Sequence, residues 1–265
     1  MKFRNCLIAS DYDGTLYNNE GVVPAEVVEA IRYYIAEGGY FTVCTGRIQQ
    51  GFRAFDPAYI NAPVLLGNGA AAYDYTKGDY VFADAIGAEG IPLVDALSRA
   101  FPEMSIELYS ADKIYAIHMS DKTHHHFTSQ YLKFIQISSV QEAQGPWIKI
   151  MLDAGEHSRA VQEFVRKFGD DPSFLPTSGG FVEILKKGVN KGSGLFRLAD
   201  ALGVPRERTF AVGDGYNDVD MLKAARYGFV PANGSEEALA AADYVVRSND
   251  EGAVANVIEL LDGIL

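Results

Sequence analysis

The chain has 265 residues, with 35 acidic and 23 basic side chains giving a net charge of −12, and only two cysteines. Such an acidic balance argues against nucleic acid and anionic membranes as partners, and the length allows one large domain or two. The opening Met1–Arg4 followed by an apolar run faintly imitates a signal peptide, but the run is too short and Asp11 interrupts it. No stretch approaches the ~18 apolar residues of a membrane span, so a cytoplasmic location is expected.

The first predicted strand is the apolar run Cys6–Ala9, and it leads into Asp11-Tyr12-Asp13-Gly14-Thr15-Leu16. Two carboxylates spaced i, i+2 at a strand end would lie on the same side, because strand side chains alternate. Close carboxylates repel, so their pKa values should split unless a cation lies between them. One can then remain ionised as nucleophile or metal ligand while the other holds a proton as general acid. Gly14 permits a sharp turn that exposes backbone to a small ligand. Taken alone, this segment has an ordinary Asp-Gly turn as its lesser alternative reading.

Pro24–Ala36 reads as an amphipathic helix stopped by Gly38-Gly39. The next strand, Phe41–Cys44, ends in Thr45-Gly46-Arg47. Thr45 can offer a hydroxyl and a backbone N–H to a phosphoryl oxygen, and Arg47 a planar fork of donors. Val64–Leu66 is another strand, and Tyr73–Phe82 alternates like a hairpin around Lys77-Gly78. Cys6 and Cys44 both fall in predicted strands, which favours buried free thiols over a disulfide.

Between about Ala83 and Gly180 the character changes. Strands around Ser105–Tyr109, Ile114–Met119 and Trp147–Leu152 interleave with helices around Ile91–Phe101, His125–Phe134 and Ser158–Phe168. The His124–His126 tract cannot place three ligands on one helix face and reads as a solvated surface. Gly67–Ala72 fits a dinucleotide fingerprint in letters only, because the residues after it are strand-like and not helical.

Regular βα units return after Lys191. Asn190 reads as the N-cap of a helix running to Leu202, and a helix N-terminus bearing Lys191 is a ready anion site. A strand at Phe210 leads into Gly213-Asp214-Gly215-Tyr216-Asn217-Asp218, whose acids are oxygen donors suited to a hard divalent ion. Helix Asp218–Ala225, strand Tyr227–Val230, helix Glu236–Ala241, strand Tyr244–Val246 and a terminal helix complete the chain. Such alternation predicts an α/β fold: a Rossmann-like, doubly wound parallel sheet with its ligands at the strand C-terminal ends.

These four motifs, in this order and covering the whole chain, resemble the haloacid dehalogenase superfamily of phosphohydrolases. Asn68-Gly69-Ala70 and Glu183-Ile184 are similar to its Cof-type subgroup, whose members carry an α/β cap of the type called C2B. The resemblance implies a discontinuous catalytic core at 1–82 and 187–265 and an inserted cap domain at 83–186. It implies Asp11 as nucleophile and Asp13 as general acid and base. Thr45, Gly46, Arg47, Lys191 and Asn217 would bind phosphate, and Asp11, Asp13, Asp214 and Asp218 would hold Mg2+. Tyr12, where the family more often has Leu or Met, should point away from the site. The expected activity is magnesium-dependent hydrolysis of a small phosphorylated metabolite. A phosphomutase or phosphoryl transferase using the same intermediate, and a non-catalytic phospho-ligand sensor, are the alternatives. The cap should choose the substrate and move on linkers near Phe82–Asp84 and Lys186–Gly188.

Overall fold

The computed structural model describes residues 1–168, 173–176 and 180–265. In chain order the first part comprises β1 (Leu7–Ser10), α1 (Ala25–Ala36), β2 (Tyr40–Val43), β3 (Val64–Leu66), β4 (Ala71–Asp74) and β5 (Asp79–Ala83). The middle comprises α2 (Gly90–Ala100), β6 (Ile106–Tyr109), β7 (Ile114–Ile117), α3 (Asp121–Ser129), β8 (Ile135–Gln136), β9 (Lys149–Asp153), α4 (Ser158–Phe168), β10 (Ser173–Pro176) and β11 (Phe181–Leu185). The last part comprises α5 (Lys191–Leu202), β12 (Thr209–Val212), α6 (Val219–Ala224), β13 (Tyr227–Pro231), α7 (Glu236–Ala241), β14 (Tyr244–Val246) and α8 (Ala253–Ile264).

Two compact units result. One contains Met1–Gly46, Ala54–Phe82 and Asn190–Leu265, and the other Arg47–Arg53 and Ala83–Val189. The segment Arg47–Arg53, expected with the core, packs instead with the inserted unit. Its Ile48 is buried in an apolar cluster with Tyr109, Ile114, Phe127 and Leu132.

The first unit is an α/β domain built on a five-stranded sheet in the order β14-β13-β12-β1-β2, with every neighbouring pair parallel. A parallel bridge from Cys44 to Leu65 leads on to the separate β3-β4-β5 sheet. All four residues of β1 are buried, as befits a strand covered on both faces. On α1, Val27, Ile31 and Tyr34 form the buried stripe, at the i, i+4, i+7 spacing of one helix face. Helices α1 and α8 pack on each other, while α5, α6 and α7 form a second contiguous group. The second group closes over Leu7, Ala9, Leu195, Leu198, Ala211, Met221 and Val230. Each large aliphatic side chain buried here stabilises the fold by about 1.5–3 kcal/mol.

The inserted unit is a six-stranded sheet in the order β10-β11-β9-β6-β7-β8. Four of its five pairings are antiparallel, and β7 with β8 is parallel. Ile106 and Leu108 enter one apolar core, while their alternating neighbours Glu107 and Tyr109 share the opposite face. Helix α3 starts four residues before its expected position, because the Ser120 hydroxyl accepts the Thr123 N–H at 3.0 Å and fixes the N-terminus there. The sequence pattern does not predict strands β10 and β11. Their register runs from Ser173 opposite Leu185 to Pro176 opposite Val182, and long-range pairing of this kind leaves little local trace.

Candidate active site

The site lies at the C-terminal end of β1, in the first unit. The strand stops at Ser10, so Asp11 is already outside it and the alternation argument for the two carboxylates does not apply. Asp11 is anchored by its own N–H, which donates to the Val212 carbonyl at 2.8 Å. The chain then turns through Tyr12–Leu16, with non-helical backbone at Asp13 and a left-handed Gly14. Asp11 is buried, whereas Asp13 is exposed. Tyr12 is buried beside Tyr17, with ring centroids 4.2 Å apart.

Lys191 is the first residue of α5 and is wholly buried. A cation at a helix N-terminus opposes the helix dipole, and burial alone would drive the ammonium neutral. Two carboxylates reverse both tendencies. Lys191 Nζ donates to Asp11 Oδ1 and, at 2.6 Å, to Asp218 Oδ1, and these charges raise its pKa against the opposing desolvation. The helix start itself is fixed by Asn190, whose side chain accepts the Ser193 N–H at 2.8 Å.

The acids come from two strand ends. Asp214 follows β12 and accepts the Thr15 hydroxyl at 2.7 Å. Asp218 is fully buried, and its second oxygen accepts the Gly215 N–H at 2.9 Å. Asp11, Asp214 and Asp218 each place an oxygen within 4.8 Å of the others. Burial pushes the Asp11 carboxyl up to about 7, against the pull of Lys191 and with help from Asp218. The neighbouring charge that raises it therefore comes from Asp218, not from Asp13 two residues on. Burial and then Asp11 raise Asp214 as well, and burial raises Asp218.

Three carboxylates around one ammonium leave excess negative charge among oxygen donors. That donor set suits a hard divalent cation such as Mg2+. The Asp13 carboxyl is not part of the cluster. Cys44 lies within the field of these charges, and burial pushes its thiol up to about 12. Both cysteines are free and buried.

Thr45 is buried, but its N–H donates to the Leu65 carbonyl at 2.9 Å. That N–H is engaged within the backbone, which corrects the expectation that it would serve a phosphoryl oxygen. Gly46 lies against the Asn68 amide, and Asn68 accepts an N–H from Asn217 at 3.0 Å. Arg47 belongs to the other unit, where Nη1 lies 3.5 Å from the Gly51 carbonyl. The His124–His126 tract forms no metal cluster among the described residues.

Three residues gained no role from the sequence. Thr15 orients Asp214. Asn233 holds the Gly14 carbonyl at 2.9 Å, and Asn68 joins two loops. Thr15 could have been found from its place next to Gly14, whereas Asn233 has no local signature.

The haloacid dehalogenase-like hydrolase family profile matches residues 8–258. The chain belongs to this family. Among curated relatives of this haloacid dehalogenase-like hydrolase, the phosphatase YwpJ of Bacillus subtilis is 29% identical, with 96% of this chain and 99% of that protein covered. The 5-amino-6-(5-phospho-D-ribitylamino)uracil phosphatase YwtE of the same organism is 26% identical, with 96% and 97% covered. A solved haloacid dehalogenase-like hydrolase from B. subtilis superposes with a TM-score of 0.81 at 26% identity, over 96% of this chain and 98% of that one. No helix among the described residues of the hydrolase is long and apolar enough to cross a membrane.

Proposed function

We propose that this hydrolase is a magnesium-dependent phosphatase that cleaves a small phosphorylated metabolite through an aspartyl-phosphate on Asp11. One observation carries the reading: the buried Asp11 carboxylate is paired with Lys191 and faces Asp214 and Asp218, so that three separate segments of the chain meet at one point. The phosphatase names of full-length relatives support the same chemistry.

An Asp11 oxygen attacks phosphorus as the ester P–O bond breaks, and Asp13 protonates the departing alkoxide. The exposure of Asp13 suits it to reach a leaving group. Asp13 then takes a proton from water, whose oxygen attacks the phosphoryl group, and inorganic phosphate leaves as Asp11 is regenerated. Lys191, the Thr45 hydroxyl, the Gly46 N–H and the Asn217 amide, all in the first unit, are the donors assigned to the phosphoryl oxygens.

Mg2+ would be held by Asp11, Asp214, Asp218 and the backbone carbonyl of Asp13. When bound, the ion supplies positive charge that offsets the phosphoryl oxygens. Asp218 already engages Lys191 and Gly215, so it also serves to place Lys191. The inserted unit is proposed as the cap that selects the leaving group, since the assigned residues all lie in the first unit.

The test is phosphate release from a panel of phosphorylated metabolites with Mg2+, using Asp11→Asn as control. Turnover in wild type and none in a folded Asp11→Asn variant is expected. Near-normal turnover in the variant would remove Asp11 as nucleophile. Isomerisation without phosphate release would favour the mutase alternative.

A further inference from the structure

Asn68 has no part in the steps above, yet it stands where three loops meet. It lies just past β3 with a left-handed backbone, φ 54°, and is 2% exposed. Its N–H donates to the Thr45 carbonyl at 2.9 Å. Its side-chain Oδ1 accepts the Asn217 Nδ2–H at 3.0 Å. The same amide lies so close to Gly46 that a β-carbon there would be 3.1 Å from Asn68 Nδ2. Next to it, Gly69 packs so tightly that a β-carbon would be 2.3 Å from the carbonyl oxygen of Asn190, the cap of the Lys191 helix.

A side-chain amide carries two N–H donors in one plane. Holding one Asn217 N–H on Asn68 fixes that plane, and with it the direction of the second donor. Asparagine is among the few non-glycine residues that adopt a left-handed φ readily, and its amide adds contacts to Asn217 and Gly46 that a glycine in this turn would lack.

We propose that Asn68 is a positioning residue for phosphoryl-group recognition. Its amide sets the orientation of Asn217 and the spacing of the Thr45-Gly46 turn, so that donors from two loops converge on one anion. This inference rests on the proposed reading of Thr45, Gly46 and Asn217 as phosphate ligands. The oxygen donors suited to the ion are the carboxylates of Asp11, Asp214 and Asp218. Loss of the Asn68 amide should therefore weaken anion binding and leave magnesium activation largely intact.

The test is a double-mutant cycle of Asn68→Gly and Asn217→Ser in the full chain. Its readouts are kcat and KM for p-nitrophenyl phosphate, Ki for inorganic phosphate, the Mg2+ activation constant and Tm. Loss of one hydrogen bond to a bound anion corresponds to roughly a ten- to hundredfold weakening. Asn68→Gly is expected to raise KM and Ki by that factor, with the Mg2+ constant changed by less than about twofold. The double variant is expected to lose clearly less than the product of the two single losses, because both break the Asn68–Asn217 contact while Asn68→Gly also disturbs the Gly46 side. Unchanged KM and Ki in Asn68→Gly, or losses that multiply in the double variant, would overturn the inference while leaving the phosphatase reading intact. An Asn68→Gly chain that does not fold would make Asn68 a structural residue and overturn it too. A wild-type protein that neither turns over the ester nor binds phosphate would overturn both.

Discussion

Gly14 and Asp214 approach so closely that a β-carbon on Gly14 would lie 2.7 Å from Asp214 Oδ2. Gly14 also has φ 86°, a conformation that costs other residues about 1 kcal/mol or more. Both constraints hold the turn after Asp13 against an acid that belongs to another strand. Gly14→Ala should therefore push Asp214 away from Asp11. The expected result is at least about a hundredfold loss of kcat/KM and a raised Mg2+ activation constant, since small misplacements in a site cost this much. Titrating Mg2+ at saturating substrate checks it, and an unchanged activation constant would show that the contact does not position the acid.

Lys191 has two partners, and removing it exposes both to the low-dielectric interior. Lys191→Ala leaves Asp11 and Asp218 as buried, unpaired carboxylates, a loss of the kind that destabilises by about 3–5 kcal/mol. Removing a preorganised donor also typically slows catalysis by about 10²–10³. Steady-state kinetics and thermal melts should show both effects together. A rate loss below about tenfold would make Lys191 a helix-start residue without catalytic weight. Lys191→Arg should not restore activity, because the planar fork does not fit a space shaped for a compact ammonium.

The raised carboxylates give the site a pH signature. A carboxyl with a raised folded pKa favours the fold when protonated, and that contribution is lost as pH climbs from about 4, the unfolded value, through the folded one. For Asp11 that folded value is about 7 in the metal-free protein, and Asp214 shifts in the same direction. Mg2+ must displace these protons, so its affinity should fall as pH drops below 7, by up to about tenfold per pH unit for each proton displaced. Thermal melts with Mg2+ and with chelator should differ more at pH 8 than at pH 5.5. Equal stabilisation at both values would contradict the assigned ligands.

Asp74, the last residue of β4, carries a pKa shift of the opposite sign. Its carboxylate accepts Thr76 Oγ1–H at 2.6 Å and the N–H groups of Thr76 and Lys77 at 3.0 and 3.1 Å. The Thr76 hydroxyl leads in lowering its pKa, to about 2. Here stability is present above the unfolded pKa of about 4 and is lost as pH falls towards 2. Asp74→Ala should cost on the order of 1–2 kcal/mol at pH 7 and much less at pH 2, with activity retained. Urea melts at the two pH values would read the difference, and a cost independent of pH would rule out the charged cap.

The core was legible because its signals are local. Buried strands ending in Asp, Thr-Gly or Gly-Asp and helices with plain caps at Asn190 and Ser235 can be read within a few residues. The inserted unit was less so. Helix α3 is set by one serine cap, and β10 and β11 by partners elsewhere in their sheet. Within the site, charge partners depend on three-dimensional placement. The repulsion expected between Asp11 and Asp13 acts instead between Asp11 and Asp218, and the Thr45 N–H is taken by Leu65, contacts that no motif spacing encodes.

Asp13 offers the sharpest test of mechanism, because its role depends on the leaving group. It is exposed while Asp11 is buried, and its backbone is still extended, φ −82° and ψ 115°, before Gly14 at φ 86° turns the chain. A general acid matters most when the departing oxygen is a poor leaving group. Protonation of an alkoxide by a positioned carboxyl typically contributes about 10²–10⁴ in rate, whereas a nitrophenolate leaves with little help. Asp13→Asn should therefore slow a sugar phosphate by about that factor and p-nitrophenyl phosphate by considerably less in the first step. The second step still needs a base for water, so with the nitrophenyl ester the phosphorylated Asp11 should accumulate and give a burst of nitrophenol. Stopped-flow absorbance would record the burst, and equal slowing of both substrates with no burst would assign Asp13 to metal support alone.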